Sequence, residues 1–365
     1  MADASPLTFE HRPHPNPTPA DKRAEMVAVP GFGRVFTDHM VTIRYTEGQG
    51  WHSATLGPRE PLMLDPATSV LHYAQEIFEG LKAYPTPGGG ATLFRVDANA
   101  RRFQDSAERM AMPKLPVDLF RESVRELVRA DLDWFPPIEG GTLYLRPFMI
   151  ATEVFLGVKP ASEYLFIVIA SPAGGYFKGG VQAITLWATE QYSRAGPGGT
   201  GAAKCGGNYA ASLIALQEAY AKGCDQILFL DTVERRWIEE LGGMNTFFLF
   251  DDGTMITPPL TGTILPGITR DAIMTLATEM GLKVSEQPYS IDQWQADAQS
   301  GCLREAFACG TAAVITPIGR VRGEHMDFTI GNGGPGTLSG QLRDKLVAIQ
   351  CGQAPDPHGW VEHLL

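Results

Sequence analysis

The stretch Gly196-Pro-Gly-Gly-Thr-Gly-Ala-Ala-Lys204-Cys-Gly-Gly-Asn-Tyr209 sets six glycines in fourteen positions around one lysine. Glycine loses more backbone freedom on ordering than any other residue, so this run reads as neither ordinary helix nor ordinary strand. It is a loop whose backbone can come close to a ligand. Lys204 has few charged neighbours in sequence and is placed to lose hydration and have its pKa lowered. An amine in that state forms a Schiff base with a carbonyl compound. A solvated lysine in a surface loop fits the same letters. A nucleotide loop does not: GxxxxGK[ST] needs lysine directly after its second glycine. Here two alanines separate Gly201 from Lys204, and Cys205 stands where Ser or Thr belongs.

The whole chain narrows the classes. Its 365 residues are enough for about two domains with separate cores. A composition of 44% hydrophobic and 19% charged residues is that of a globular protein. The net charge of -11 and a pI near 5.2 argue against a nucleic-acid surface. Met1 to Arg23 lacks the apolar centre of a signal peptide, and the longest uncharged run, Tyr164 to Phe177, is too short to span a bilayer. No membrane is expected. Cysteines 205, 224, 302, 309 and 351 are odd in number and lack CxxC spacing, which argues against a disulfide or zinc framework. No metal and a reduced, cytoplasmic setting are expected.

Taken in order, residues 1–30 read as an extended leader. Phe36–Tyr45 alternates like a strand, and His39 within it reads as a structural histidine. Asp65-Pro-Ala-Thr opens a helical pattern that ends at Phe78-Glu-Gly80. Leu81–Tyr84 and Ala91–Val96 form a strand pair across Pro87-Gly-Gly-Gly90. Asp97 caps a helix over Ala98–Met112, whose early Arg101 and Arg102 call for a bound anion or an acidic neighbour, because the helix dipole disfavours cations there. A solvated helix face is the plainer alternative for both. Val117–Trp134 is a second helix. Gly141–Thr152 and Tyr164–Ser171 read as central strands, with Arg146 interrupting an apolar run; an unpaired buried guanidinium is costly, so Arg146 is paired or functional.

Beyond a boundary near Tyr176–Gly180, strands are expected at Val181–Ala188, Gln226–Leu230, Arg236–Leu241, Thr246–Phe250 and Thr254–Thr257, and later at Leu282–Val284 and Glu305–Ala308. Helices are expected at Tyr209–Lys222, with Leu213, Leu216 and Tyr220 on one face, at Asp271–Met280 and at Leu338–Gln350. The tail from Pro355 reads as irregular. Adjacent Glu239 and Glu240 point to opposite sides of a strand, so at most one of them faces a given site, where it needs a cation. Pro266-Gly-Ile-Thr269 feeds a helix N-terminus, a ready phosphate cradle, although simple turn-helix junctions share the pattern. Gly310-Thr-Ala312 is another turn able to donate hydrogen bonds.

A glycine-flanked lysine, two candidate phosphate turns, an early-helix arginine and a carboxylate between strands are together what pyridoxal 5'-phosphate requires. The same residues carry a resemblance. Phe36-Thr-Asp-His-Met40, Leu71-His-Tyr73, Phe78-Glu-Gly80, Leu143-Tyr-Leu-Arg-Pro147, Lys204-Cys-Gly-Gly-Asn-Tyr209, Glu240-Leu-Gly-Gly-Met-Asn245, Leu265-Pro-Gly-Ile-Thr-Arg270 and Gly310-Thr-Ala312 occur in the order found in branched-chain amino-acid aminotransferases of fold type IV. From about residue 30 onward the chain closely resembles that family.

The resemblance implies a mixed α/β protein with a small N-terminal domain (31–177), a linker (178–187) and a large domain (188–365), the cofactor lying at their interface. It implies that Lys204 is the catalytic residue and holds the cofactor's aldehyde, that Glu240 partners the pyridinium nitrogen, and that Tyr209 hydrogen-bonds the phenolic oxygen. Arg102 would bind phosphate with Ile268, Thr269 and Thr311. Tyr73, Phe78, Tyr144 and Tyr176 would line the side-chain pocket, and Ala312 with Tyr73 would hold the α-carboxylate. Aromatic walls suit leucine, isoleucine and valine at about 0.8 kcal/mol per buried methylene. Arg146 would meet the side-chain carboxylate of L-glutamate, whose 2-oxo acid completes the ping-pong cycle. A homodimer is implied, with pocket residues crossing its interface.

Two departures stand out. Ala313 and Thr316 replace the CxxC pair of the animal enzymes, so redox control of that kind is not expected, and Gly243 stands where the family often has threonine. D-amino-acid aminotransferases and aminodeoxychorismate lyases share the fold, the lysine and the glutamate. Arg146 in its Tyr-Leu-Arg-Pro setting and the aromatic set favour the branched-chain reading over them.

Overall fold

The computed structural model describes residues 7–174 and 181–364, so Tyr176 lies outside the described residues. Contacts divide the chain into two compact units. One comprises Met1–Tyr176, Ala203–Gly206 and Ile349–Leu365; the other comprises Phe177–Ala202 and Gly207–Ala348. The lysine segment, expected with the large C-terminal domain, groups with the first unit.

The first unit is built on a nine-stranded sheet among its described residues. From edge to edge it runs Glu10–His11, Gly50–Pro58, His39–Thr46, Glu163–Ala173, Thr142–Ala151, Leu81–Pro85, Ala91–Phe94 and Val361–Leu364, with Glu76–Phe78 also paired to Thr142–Ala151. The two long strands pair antiparallel from Thr142 opposite Ala173 to Ala151 opposite Tyr164. The helices Val96–Arg109 and Val117–Ala130 contribute Phe103 and Phe120, which meet Phe166 of the sheet with ring centroids 5.5 and 6.0 Å away. Alternation along Thr142–Ala151 sends Leu143, Leu145 and Met149 into this core. Tyr144, Arg146 and Phe148 leave by the opposite face, where they are half-buried. Arg146 therefore does not interrupt the core at all.

Among its described residues the second unit holds another nine-stranded sheet, running Ile238–Leu241, Gln226–Leu230, Ile184–Thr189, Val314–Arg322, Leu303–Gly310, Asn245–Phe250, Thr254–Thr257 and Lys283–Glu286, with Asp327–Thr329 added to Val314–Arg322. Its topology is mixed, since Ile184–Thr189 lies parallel to both neighbours. Phe248 anchors the core, 4.7 Å from Tyr289 and 4.8 Å from Trp294.

Several expectations are corrected. The helix after Asp65 is only Val70–Tyr73, because Ala74 turns left-handed (φ 50°) and the chain re-emerges as the strand Glu76–Phe78. Asp97 does not cap its helix. The helix starts at Val96 after a left-handed Arg95, and the Asp97 carboxylate pairs with Arg121 at 2.8 Å. Leu213 and Tyr220 are exposed, and Leu213–Ala221 packs through Ala215 and Ala219, whose small side chains fit against Trp187, Ile227 and Phe229. The leader carries a strand and the helix Ala20–Ala28, with the Thr18 hydroxyl donating to Asp38 at 2.6 Å. The tail is ordered as Val361–Leu364 against Ala91–Phe94. His39 is structural: Nδ1 lies 2.7 Å from Asp131, and that hydrogen bond raises its pKa.

Replacing Phe103 by alanine is expected to destabilise the protein by about 3–5 kcal/mol, since the ring is fully buried between two others. A lower denaturant midpoint checks this.

Candidate active site

In the first unit, three backbone groups of the lysine segment are tied down. Phe78 N–H donates to Lys204 C=O at 2.9 Å, Lys204 N–H donates to Ser106 Oγ at 2.9 Å, and Gly206 N–H donates to Glu76 Oε1. The half-buried Lys204 side chain carries its Nζ 4.9 Å from the Phe78 ring centroid. Arg146 holds its guanidinium carbon 4.7 Å from that same centroid, and its Nη2 donates to the Tyr144 hydroxyl at 3.2 Å. Two cations thus share one aromatic ring, an attractive arrangement with the ring quadrupole. Phe148, opposite Phe78 in register, extends the apolar surface.

Under this surface lies a buried ion pair. Arg102 donates Nε to Glu79 Oε1 at 2.7 Å and Nη2 to Oε2 at 2.8 Å, and Asn99 adds a third donor at 2.9 Å. Burial pushes the Glu79 carboxyl up. Arg102, with Lys204 and Asn99, more than offsets this and leaves it below the ordinary carboxylate range. The acidic neighbour that Arg102 called for is therefore Glu79, which takes one edge of the guanidinium. Lys204 has few charges near it in sequence; in the fold it sits in the field of Glu79.

The second unit assembles a different set. Glu240, on Ile238–Leu241, pairs with Arg194 Nη1 at 2.6 Å, and both side chains are 2% exposed. This is the cation that a buried carboxylate requires. Arg194 also donates to Thr263 C=O at 2.9 Å. Asn245 reaches Glu240 Oε2 at 3.4 Å and donates to Leu265 C=O at 3.0 Å, joining the carboxylate to the turn that leads into the helix Ile268–Glu279. Gly267 precedes that helix, whose first residues are Ile268 and Thr269, and Asn245 Oδ1 lies beside it. Glu239 points the other way and takes a 2.5 Å hydrogen bond from Thr263; burial raises its pKa.

Tyr209 packs against Gly243 so closely that a Cβ there would stand 3.3 Å from the ring. The missing threonine hydroxyl is thus coupled to the placement of Tyr209. The Gly310-Thr-Ala312 turn adjoins the same place, with Gly310 facing Met244 and the Gly243 carbonyl. Tyr73, by contrast, gives its hydroxyl to Leu156 C=O on an exposed lobe. Sequence reasoning missed Arg194, Ser106, Asn99 and the roles of Glu76 and Glu79. A signal existed for Arg194, an arginine two residues ahead of the glycine loop, and Glu79 stands inside the Phe78-Glu-Gly80 motif.

The profile of the Amino-transferase class IV family matches residues 76–321, and the chain belongs to that family. A protein of Streptomyces coelicolor named "Probable branched-chain-amino-acid aminotransferase" is 56% identical over 98% of this chain and 99% of its own length. The branched-chain-amino-acid aminotransferase of Mycolicibacterium smegmatis is 51% identical over 99% of this chain and 100% of its own. Among solved structures, a T.th. branched-chain amino acid aminotransferase complexed with N-(5'-phosphopyridoxyl)-L-glutamate is similar with a TM-score of 0.73 and 27% identity, covering 89% of this chain and 98% of that one.

Glu79→Gln is expected to cost about 3–5 kcal/mol at neutral pH, because it leaves the buried Arg102 uncompensated. Because the folded Glu79 pKa is depressed, its contribution is present above the unfolded carboxylate value and is lost as pH falls through the folded one. The acid limb of the stability curve should therefore be shallower in Glu79→Gln, as measured by denaturant unfolding between neutral and acid pH.

Proposed function

We propose that the chain is a branched-chain-amino-acid aminotransferase, moving the amino group of L-leucine, L-isoleucine or L-valine to 2-oxoglutarate, with pyridoxal 5'-phosphate as cofactor. The observation that carries this reading is the Phe78 ring with Lys204 and Arg146 both close to its centroid, 4.9 and 4.7 Å away. One surface combines an amine held by its backbone, an aromatic wall for an aliphatic side chain, and a cation for a second carboxylate.

The residues fit the cofactor. Lys204 supplies the amine for its aldehyde, Glu240 the carboxylate for its ring nitrogen and Tyr209 a hydroxyl for its phenolic oxygen. Arg102, the N-terminus at Ile268 and Thr269, and Thr311 would serve its phosphate. When bound, pyridoxal phosphate supplies the electron-withdrawing ring that lets an amino acid's α-proton leave. The side chains do the rest. Lys204 Nζ holds the proton taken from the substrate's α-carbon and returns it. Phe78 and Tyr144 exclude water from the aliphatic chain, as Tyr176 would. Arg146 receives the side-chain carboxylate when glutamate or 2-oxoglutarate is bound, and Ala312 N–H holds the α-carboxylate. Over the cycle L-leucine and 2-oxoglutarate become 4-methyl-2-oxopentanoate and L-glutamate.

A homodimer is part of the proposal. Met63, Leu71, Tyr73, Val154, Leu156 and Val158 are exposed on one unit, tied together by the Thr68–Val154 bridge and the Tyr73–Leu156 hydrogen bond. An apolar surface of this kind suits a second copy, and from there Tyr73 would reach the partner's pocket. Among the described residues no helix is long and apolar enough to cross a membrane. The five cysteines, all free thiols, suit a reducing cytoplasm.

With cofactor added, the protein should consume L-leucine in the presence of 2-oxoglutarate. D-alanine and aminodeoxychorismate should not react. Lys204→Ala should lower turnover by about 10²–10⁴-fold, the range for loss of a positioned acid–base group. Normal turnover by Lys204→Ala, or reaction with D-alanine in preference to L-leucine, would contradict the proposal.

A further inference from the structure

The carboxylate beside the lysine segment has no part in the reading above. Glu76 and Phe78 leave the same face of their short strand, while Ile77 between them is buried in the core. That strand pairs antiparallel with Thr142–Ala151, Glu76 opposite Ile150 and Phe78 opposite Phe148, so Arg146 follows two residues further along the same face. Arg146 is only partly satisfied by protein. Nη2 donates to Tyr144, and among the described residues Nε is buried without a hydrogen-bond partner.

Glu76 is oriented by the backbone rather than by a cation. It accepts from Gly206 N–H, two residues past Lys204, and a Cβ at Gly206 would land on its Oε1. Only glycine allows that approach. Among the described residues Glu76 makes no ion pair with Arg146 within 4.0 Å, yet the two charges are coupled: burial raises the Glu76 carboxyl, and the Gly206 amide and Arg146 oppose that rise.

Two demands on Arg146 conflict. A guanidinium with no counter-charge beside an aliphatic side chain is poorly placed, because its solvation is lost without return. A guanidinium fully paired with a protein carboxylate would repel a dicarboxylic substrate. A carboxylate set back from it and fixed by a backbone amide meets both demands.

We infer that Glu76 is a specificity-determining residue that tempers Arg146, so that one pocket accepts both an aliphatic side chain and that of glutamate. This rests on the aminotransferase reading and on Arg146 meeting the side-chain carboxylate. Glu76 touches neither substrate; it acts through Arg146 and through the backbone beside Lys204.

The test compares holoenzymes carrying Glu76→Gln, Glu76→Asp and Glu76→Ala with the unaltered protein, measuring kcat and KM for L-leucine and L-glutamate separately. Glu76→Gln keeps an acceptor for Gly206 N–H and removes the charge. Its KM for L-glutamate should fall by about three- to tenfold relative to its KM for L-leucine, the scale of one partly screened charge. Glu76→Asp keeps the charge and should keep the unaltered substrate ratio. Glu76→Ala loses the acceptor as well, and kcat should fall with both substrates. In an Arg146→Met background, Glu76→Gln should no longer shift the ratio. Turnover by the unaltered protein with no change of the glutamate-to-leucine ratio in Glu76→Gln, or a change toward leucine, overturns this inference alone. No turnover of L-leucine with 2-oxoglutarate by the unaltered protein overturns the reading beneath it.

Discussion

The position of Lys204 is set by hydrogen bonds to the backbone on either side of it, and the arrangement around Phe78 depends on them. The hold is made by the backbone. Lys204 gives its N–H to Ser106 and accepts at its C=O from Phe78, and Gly206 gives its N–H to Glu76. Each partner belongs to an element fixed for other reasons. Phe78 and Glu76 lie on a strand registered against Thr142–Ala151, and Ser106 lies on a helix whose Phe103 is locked in the aromatic core. These bonds explain why four residues, Ala203–Gly206, group with the first unit although the chain on both sides belongs to the second.

Charge is arranged with the same economy. Two buried carboxylates each meet a cation: Glu79 takes the fork of Arg102, and Glu240 lies 2.6 Å from Arg194 Nη1. Pairs of this kind define positions more than they add stability, since replacing both partners by apolar groups is often neutral while removing one is costly. The Glu79 pair fixes Arg102 through Nε and Nη2. The Arg194 pair places Glu240, and Asn245 continues that chain to the Leu265 carbonyl ahead of the helix Ile268–Glu279. Arg146 differs. Among the described residues its Nε has no hydrogen-bond partner, and its guanidinium lies over the Phe78 and Tyr144 rings.

Much of this is legible from the letters. The glycine-rich loop around Lys204, the strands Gln226–Leu230 and Thr254–Thr257, and the helix Val117–Ala130 follow from local pattern and turn chemistry. What is not legible needs partners distant in sequence. The ion pair between residues 79 and 102 joins a strand end to a helix, and neither neighbourhood announces the other. Pattern alone gives Leu213–Ala221 the wrong face, because large apolar residues usually mark the buried stripe. Here close approach to the sheet selects Ala215 and Ala219. Arg146 looks like a charge inside an apolar strand, and only the register shows that odd and even positions face different surroundings. Tyr73 matches a motif yet bonds to Leu156 within its own chain, a contact its neighbours in sequence do not announce.

The most direct test of the central claim is where the cofactor attaches. Holoprotein treated with borohydride, digested and analysed by peptide mass should carry a phosphopyridoxyl group on the peptide containing Lys204 and on no other. Finding the group on a different lysine, or on none after loading with pyridoxal 5'-phosphate, would contradict the account.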